Sequence, residues 1–461
     1  MIASLLNSAL EHSNNRPFLV SQNNQWTYAD THAMVGQLAH KLSAKRAGKI
    51  ACYMPDSPEL ILLILAASVA GLPLAIINRD FSHEQVLALT SELETDLLFT
   101  DQLLPMDLPC RQQEPYKMSA PTEPRTVPSN IFDERDSELL ILTSGTTQQP
   151  RCVKYLWSDL LAQVSTRQAS DNERWMLAYK LNHFAGIQML AHILSSRSTL
   201  VLAASTQVAD AVATMTAQSV THVSSTPTFW RFALALLTDS AALPGLRQIT
   251  LGSEPVSADI LDRLALLFPD ARIVHIYALT EAGSCISISD GRPGLPLSIL
   301  DRPSSAAVSF RIIENELQVK TRHGMLGYRN EADSEPITGD GWLATGDLVK
   351  VEGDRILFMG RESEVINVGG VKVHPLEVEN IVSALPGVKL ARVYGQENPV
   401  VGQIVAVELV INDGWGPNKV EDDVRLACSG LPRHSMPRNV TIVDTISTTN
   451  LKLSRRGSES S

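Results

Sequence analysis

Leu139-Leu140-Ile141-Leu142-Thr143-Ser144-Gly145-Thr146-Thr147-Gln148-Gln149-Pro150-Arg151-Cys152-Val153-Lys154 is the stretch on which the reading of this chain turns. Its apolar opening, Leu139–Leu142, is the length and composition of a buried strand. The strand empties into four hydroxyls grouped around Gly145, followed by Pro150 and the cations Arg151 and Lys154. Backbone N–H groups in such a turn can face an anion, and a glycine lets the backbone approach it closely. The spacing is not that of a GxxxxGK[ST] loop. Taken alone, the stretch reads equally well as a phosphate cradle or as a Ser/Thr-rich turn after a strand.

Working outward, the first hundred residues alternate strand and helix patterns. Strands are expected at Phe18–Val20, Gln25–Tyr28, Lys49–Met54, Leu74–Ile77 and Asp96–Thr100, and helices at Ala29–Ala44, Pro58–Ala70 and Ser82–Glu92. This alternation predicts a parallel sheet covered by helices. Leu60–Ile77 is uncharged over 18 residues, the lower edge of a membrane span. Gly71 and Pro73 divide it into a helix and a strand, so no membrane span is expected. Leu103–Ser137, rich in Pro, Gln and Glu, reads as a surface connection.

Beyond the loop, helices are expected at Ser158–Ala169, Ile187–Leu194, Gln207–Gln218, from Pro227, and at Asp259–Leu267. Strands are expected at Ser198–Ala203, Val220–Ser224, Ile249–Leu251 and Arg272–Tyr277. After about residue 290 the pattern becomes short strands and turns, with a hairpin joining Leu348–Val351 to Arg355–Phe358 across Glu352-Gly353-Asp354. The last hundred residues supply helices at Pro375–Ala384 and Lys419–Cys428 and strands at Val388–Tyr394 and Ile404–Val410. That is an α+β unit of different character, and the domain boundary is placed at residues 360 and 361.

The chain has 461 residues, enough for about three domains of ~150 residues. A formal net charge of −11 argues against a nucleic-acid surface and is neutral about a nucleotide pocket. Five scattered cysteines without CxxC spacing suit a reducing compartment and provide no zinc site. Met1 opens an amphipathic stretch with neither a basic start nor a long apolar run, so no signal peptide is expected and the protein is placed in the cytoplasm.

Four further stretches bear on chemistry. Tyr277-Ala278-Leu279-Thr280-Glu281-Ala282-Gly283 sets a carboxylate beside a hydroxyl at a strand's end, where α/β sheets bind ligands. Glu281 suits Mg²⁺, which takes few protein carboxylates, or is a solvated loop acid. Asp347, in Thr345-Gly346-Asp347, can accept both hydroxyls of a ribose or close an Asx turn. Val365–Glu379 carries the pair Gly369-Gly370, the mark of a close approach or left-handed turn. Lys452 stands in a polar terminal stretch.

In this order, and over almost the whole chain, these stretches resemble the adenylate-forming superfamily of acyl- and aryl-CoA synthetases, peptide-synthetase adenylation domains and firefly-type luciferases. The resemblance implies a large N-terminal domain, 1–360, of two doubly wound α/β subdomains and a small β-barrel. A mobile α+β C-terminal domain, 361–461, follows. It also implies roles. Thr143, Ser144, Gly145, Thr146 and Thr147 grip the β- and γ-phosphates of ATP, Thr280 contacts the α-phosphate and Glu281 holds Mg²⁺. Ser253, Glu254, Pro255 and Tyr277 enclose adenine, while Asp347 binds the ribose and Arg361 its edge or the phosphate. Lys452 is the catalytic lysine and Ser363 stands at the hinge. His183, Phe184, Gly252 and Ala278 border the acid pocket. Gly369, Gly370 and Lys372 line a pantetheine tunnel.

Several positions depart from the family pattern. Gln148, Arg151 and Cys152 stand where TSGTTGxPKG has Gly, Lys and Gly. Ala278, Ser253 and Leu451 each replace a glycine, and Ser363 replaces the hinge charge. The charged positions Glu281, Asp347, Arg361 and Lys452 remain. Peptide-synthetase domains place an Asp in the segment that here reads Lys180-Leu181-Asn182-His183-Phe184-Ala185-Gly186. Its absence leaves a substrate ammonium without a partner, at a cost of several kcal/mol, which disfavours amino acids. The expected function is ATP-dependent activation of a small carboxylic acid to an acyl-adenylate, followed by transfer to CoA. The alternatives are a stand-alone adenylation enzyme loading a carrier-protein phosphopantetheine and a degenerate, non-catalytic adenylate-binding protein. The identity of the acid and the oligomeric state are not read from the sequence.

Overall fold

A computed structural model describes residues 1–22, 24–45, 47–113, 129–143, 150–164, 167–168, 172–237, 243–303, 305–329, 337–446, 448–449 and 452–453. It divides into two compact units. One comprises Met1–Ser224, Ala278–Ser284 and Thr321–Glu335, the other Ser225–Tyr277, Cys285–Lys320 and Pro336–Ser461.

The first unit is built around Glu138–Thr143, the apolar strand foreseen from the sequence, lengthened by one residue at each end. It runs parallel to Leu74–Ile76, and the parallel order continues through Ile50–Tyr53, Leu97–Thr100 and Arg111–Gln113. Arg111–Gln113 lies in the stretch expected to be a bare connection. On the other side the antiparallel strands Arg151–Leu156 and Gly327–Tyr328 complete seven strands. Interior strands of a parallel sheet are covered on both faces, which is why they read as continuous apolar runs.

Helix Pro58–Ala70 has the expected bounds. Ser57 caps it by accepting from the Leu60 N–H at 3.2 Å, Pro58 occupies the first turn, and Leu60 to Ala70 are all buried. A helix apolar all round belongs inside a large core, and no helix among the described residues is long and apolar enough to cross a membrane. A second sheet of this unit pairs Pro17–Ser21 with Asn24–Thr27 and with Thr199–Leu202, then Arg174–Leu177 and His222–Ser225. The helix expected over Ser158–Ala169 is shorter, Trp157–Ala162. It breaks at Gln163, whose side chain is engaged elsewhere.

The second unit pairs Gln248–Gly252 in parallel with Arg272–Leu279. Where the small barrel was expected, a five-stranded sheet runs Leu295–Pro296, Arg355–Arg361, Leu343–Glu352, Glu316–Thr321 and Val308–Ile313. Its central hairpin extends the expected one in both directions. The C-terminal sheet orders Val371–Val373, Ile366–Val368, Gly402–Ile411 and Val388–Asn398, with Asn439–Ile442 parallel to Gly402–Ile411. Helices Pro375–Ser383 and Pro417–Ala427 pack on it through Val378, Val382, Val420 and Val424.

Candidate functional site

In the first unit, Thr143 ends its strand paired with Arg151, its Oγ1 donating to the Arg151 carbonyl at 3.4 Å. The two strands thus bracket the loop. Ser144, Gly145, Thr146 and Thr147 themselves lie outside the described residues. The Arg151 guanidinium lies 5.4 Å from the centre of the Tyr328 ring. The Tyr328 hydroxyl donates to Oε1 of Glu281 at 3.1 Å. Burial first, and then the Glu281 charge, push that hydroxyl up to about 12, so it remains a donor at neutral pH.

Thr280 and Glu281 form the turn between Arg272–Leu279 and Gly283–Ile288. The turn is clamped from two sides. The Met325 N–H donates to the Glu281 carbonyl at 2.9 Å, and the Ser284 N–H donates to Gln163 Oε1 at 2.7 Å. Gln163 Nε2 in turn donates to the His323 carbonyl. Gly283 has φ +79°, and a Cβ there would stand 2.0 Å from Gln163 Oε1, so both conformation and space demand glycine. Oε2 of Glu281 has no hydrogen-bond partner among the described residues, which also contain no cluster of three or more metal-ligating side chains. One open carboxylate oxygen fits Mg²⁺, whose remaining positions are filled by substrate phosphate and water; it does not fit zinc, which needs a set of protein ligands.

The second unit carries Ser253, Glu254, Pro255, Tyr277, Asp347 and Arg361, the residues expected at the nucleoside. Strand Gln248–Gly252 delivers Ser253 at φ +69°, the left-handed region where the family pattern has glycine. Ser253 therefore holds a conformation that a Cβ disfavours. Ala278, another such replacement and part of the first unit, sits within a strand with no positive φ and meets no such penalty. Glu254 accepts from the Thr228 N–H and from Thr228 Oγ1, both at 3.0 Å. Its carboxylate thus seats the first turn of helix Pro227–Leu236, where negative charge is favoured. Thr226 caps the same helix through the Phe229 N–H at 3.0 Å.

Tyr277 and Asp347 meet directly. The Tyr277 hydroxyl donates to Asp347 Oδ2 at 2.7 Å, and Arg361 Nε lies 3.1 Å from Oδ1. Asp347 and Arg361 are cross-strand partners in the hairpin. Asp347 is buried, and burial raises its pKa while Arg361 and Tyr277 oppose that rise. Burial and the Asp347 charge hold the Tyr277 hydroxyl well above its ordinary pKa. The Tyr277 ring packs on Phe358, with centres 5.2 Å apart. Asp347 closes no Asx turn: its carboxylate faces Tyr277 and Arg361, and it is Thr345 Oγ1 that accepts from the Asp347 N–H at 3.0 Å.

On the acid side, Asp56 Oδ1 accepts from the Leu181 N–H at 3.0 Å and Lys180 pairs with Asp80 at 2.6 Å. Together they fix the turn that leads to His183, the residue before helix Phe184–Ser196. Phe184 is buried against Tyr155, ring centres 5.6 Å apart, and belongs to the core cluster. The Asn182 amide nitrogen is buried without a hydrogen-bond partner among the described residues. Gly252 closes its strand and is buried. Pro255 is exposed in the turn that follows Ser253.

Gly369 and Gly370, at φ +60° and +87°, make the two-residue turn between Ile366–Val368 and Val371–Val373. Positive φ at both positions is the signature of a type I′ hairpin turn. The Asn367 side chain accepts from the Gly370 N–H at 2.9 Å, and Lys372 is exposed. Ser363 lies in a single 3₁₀ turn, Glu362–Glu364. Lys452 pairs with Thr449 in a short hairpin; its side chain lies outside the described residues. The sequence reading did not single out Tyr328, Gln163 or Asp56. Of these only Asp56, between Pro55 and Ser57-Pro58, carries a local turn signal.

Known proteins similar to this chain are AMP-binding enzymes and CoA ligases. The profile of the AMP-binding enzymes matches residues 6–326, and that of the AMP-binding enzyme C-terminal domain matches residues 377–452. The 2-succinylbenzoate–CoA ligase of Bacillus pumilus is 25% identical over 456 residues, covering 93% of this chain and 91% of that protein. A feruloyl-CoA synthase of Amycolatopsis is 28% identical over 462 residues, covering 92% and 91%. Among solved structures, the o-succinylbenzoate CoA synthetase of Bacillus subtilis in complex with its acyl-adenylate intermediate matches with TM-score 0.76 and 20% identity, over 99% of this chain and 98% of that one. An anthranilate CoA ligase in complex with anthranoyl-AMP matches with TM-score 0.81 and 18% identity, over 98% and 95%. With one profile spanning more than half of the residues and a second matching the C-terminal region, the chain belongs to the AMP-binding enzyme family.

Proposed function

We propose that the protein is an AMP-forming acid–CoA ligase acting on an aromatic carboxylic acid. The observation that carries this reading is Asp347, a buried carboxylate held between Tyr277 and Arg361 on a rigid hairpin. It lies in a chain whose relatives include ligases of 2-succinylbenzoate and ferulate. The aromatic class rests on those relatives' names, and the lack of an acidic residue in Lys180–Gly186 to pair with an ammonium speaks against amino acids.

In the first half-reaction a carboxylate oxygen of the acid attacks the α-phosphorus of ATP, the bond to the β-phosphate oxygen breaks, and pyrophosphate leaves. Thr143, Ser144, Gly145, Thr146 and Thr147 grip the β- and γ-phosphates. Glu281 would hold Mg²⁺, which would supply charge neutralisation on the phosphate oxygens. Thr280 steadies the α-phosphate, Asp347 binds the ribose, and Ser253, Pro255 and the Tyr277 ring border adenine, with Glu254 seating the neighbouring helix. Lys452 bridges the incoming carboxylate and the α-phosphate, a task suited to a flexible point cation. In the second half-reaction the thiol sulfur of CoA attacks the acyl carbon, AMP departs, and the thiol proton passes to solvent. Gly369, Gly370 and Lys372 border the pantetheine arm. The C-terminal domain, from residue 361, turns about Ser363 between the two steps. Dependence on ATP and CoA, together with five free cysteines, supports a cytoplasmic location.

Pyrophosphate–ATP exchange with Mg²⁺ and without CoA, run over aliphatic, aryl and hydroxy acids, tests the reading. Exchange with aryl acids is expected, reduced ~10²–10³-fold in Lys452→Ala, and CoA is then expected to release AMP. Exchange with no acid while ATP still binds would reject an active ligase.

A further inference from the structure

The Arg151–Tyr328–Glu281 relay is absorbed by none of the roles above. Three short, sequence-distant pieces meet in it. Strand Arg151–Leu156 leaves the phosphate loop, the two-residue strand Gly327–Tyr328 pairs with it, and the Glu281 turn receives the Tyr328 hydroxyl at 3.1 Å. Two backbone bonds hold the same pieces in register: the Leu326 N–H to the Lys154 carbonyl and the Met325 N–H to the Glu281 carbonyl, at 2.8 and 2.9 Å. Tyr328 is buried at 7% exposure. Its ring faces the planar Arg151 guanidinium, a geometry that arginine forms and the lysine of the family pattern matches poorly. The buried ring presents its hydroxyl to Oε1 of Glu281. The other oxygen has no partner among the described residues.

We propose that Tyr328 is the positioning residue of the metal-binding carboxylate: by occupying Oε1 of Glu281 it orients Oε2 toward Mg²⁺, with Arg151 holding the tyrosine ring. The inference rests on Glu281 as the Mg²⁺ ligand of the proposed reaction. A hydrogen-bond partner behind a metal ligand fixes its orientation, and loss of such a partner typically weakens metal affinity ~10–100-fold.

The test is ATP binding by calorimetry on the full chain, with excess Mg²⁺ and again in EDTA, for the parent, Tyr328→Phe and Glu281→Gln. Phenylalanine keeps the ring under Arg151 and removes the hydroxyl with its hydrogen bonds to Glu281 and Arg151, and binding in EDTA reports that the site is folded. The expected result is an ATP affinity at least about tenfold weaker in Mg²⁺ for both variants, with affinity in EDTA unchanged for Tyr328→Phe. Were Glu281→Gln to lose the Mg²⁺-dependent part while Tyr328→Phe kept it, the positioning role would be wrong and the metal reading would stand. An equal loss in Mg²⁺ and EDTA for Tyr328→Phe would reduce Tyr328 to a structural residue. Full Mg²⁺ dependence in Glu281→Gln would remove the metal reading itself, and the inference with it.

Discussion

Tyr277 donates its hydroxyl to Asp347 Oδ2 at 2.7 Å, across 70 residues of sequence. With Arg361 on the other oxygen, this fixes the plane of the one buried carboxylate to which ribose binding is assigned. Tyr277→Phe keeps the ring against Phe358 and frees Asp347 to rotate. A hydrogen bond to a charged group contributes about 1.5 kcal/mol or more. The expected outcome is a KM for ATP raised about tenfold with kcat little altered, and a narrowed preference for ATP over 2′-deoxy-ATP. Steady-state kinetics with the two nucleotides checks it; an unchanged preference would detach Tyr277 from ribose recognition.

Ser253 occupies the left-handed region at φ +69°. A non-glycine residue there costs about 1–2 kcal/mol, partly offset by the greater freedom of glycine in the unfolded chain. Ser253→Gly is expected to raise stability by about 0.5–1 kcal/mol in urea unfolding. If stability fell instead, the serine side chain would be making a contact worth more than the strain.

Gly283 leaves no room for a side chain, its Cβ position lying 2.0 Å from Gln163 Oε1 at a φ of +79°. Gly283→Ala is expected to destabilise by about 1–3 kcal/mol and to displace the Glu281 turn, lowering exchange activity. Adding Gln163→Ala relieves the clash but not the backbone strain, so thermal unfolding of the double variant should recover only part of the loss.

Glu173, only 1% exposed, accepts from Arg167 at 2.9 and 3.0 Å and from Trp175 Nε1 at 2.9 Å. Burial works to raise its pKa, but the Trp175 and Arg167 hydrogen bonds outweigh it and hold the carboxyl below its usual range. The folded carboxyl releases its proton more readily than the unfolded one. Its contribution is therefore complete above the unfolded value of about 4.3 and disappears as pH falls through the folded value. Glu173→Gln is expected to lower stability at pH 7 by about 1–3 kcal/mol. The gap between variant and parent should close below about pH 4, as followed by urea unfolding across pH. A gap that stayed constant with pH would place the effect in packing.

The elements that local pattern announces were legible. Leu139–Leu142 is a central strand because its side chains are apolar on both faces, and Pro58–Ala70 is framed by a serine cap and a terminal glycine. Asp347 and Glu281 were also visible as carboxylates beside turn signals. Hidden from the sequence were their partners. Tyr328 stands 47 residues from Glu281, and Gln163 stands 121 from the Ser284 amide it binds. The helix expected to run to Ala169 ends at Ala162, and Gln163, just beyond it, directs its side chain to that turn. Glu254 shows the same limit: the motif marks it for the nucleotide side, while its oxygens lie on Thr228.

The sequence by itself determined the α/β layering, the order of the chemistry-bearing segments and the charges they carry, because periodicity and turn chemistry are properties of neighbouring residues. Only the tertiary structure decided which Glu281 oxygen receives the Tyr328 hydroxyl. It alone distinguished Ser253, in a left-handed turn, from Ala278, in an extended strand, although each stands for a glycine. Hydrogen-bond direction and backbone φ depend on atoms brought together by folding from distant segments, and no local pattern encodes them.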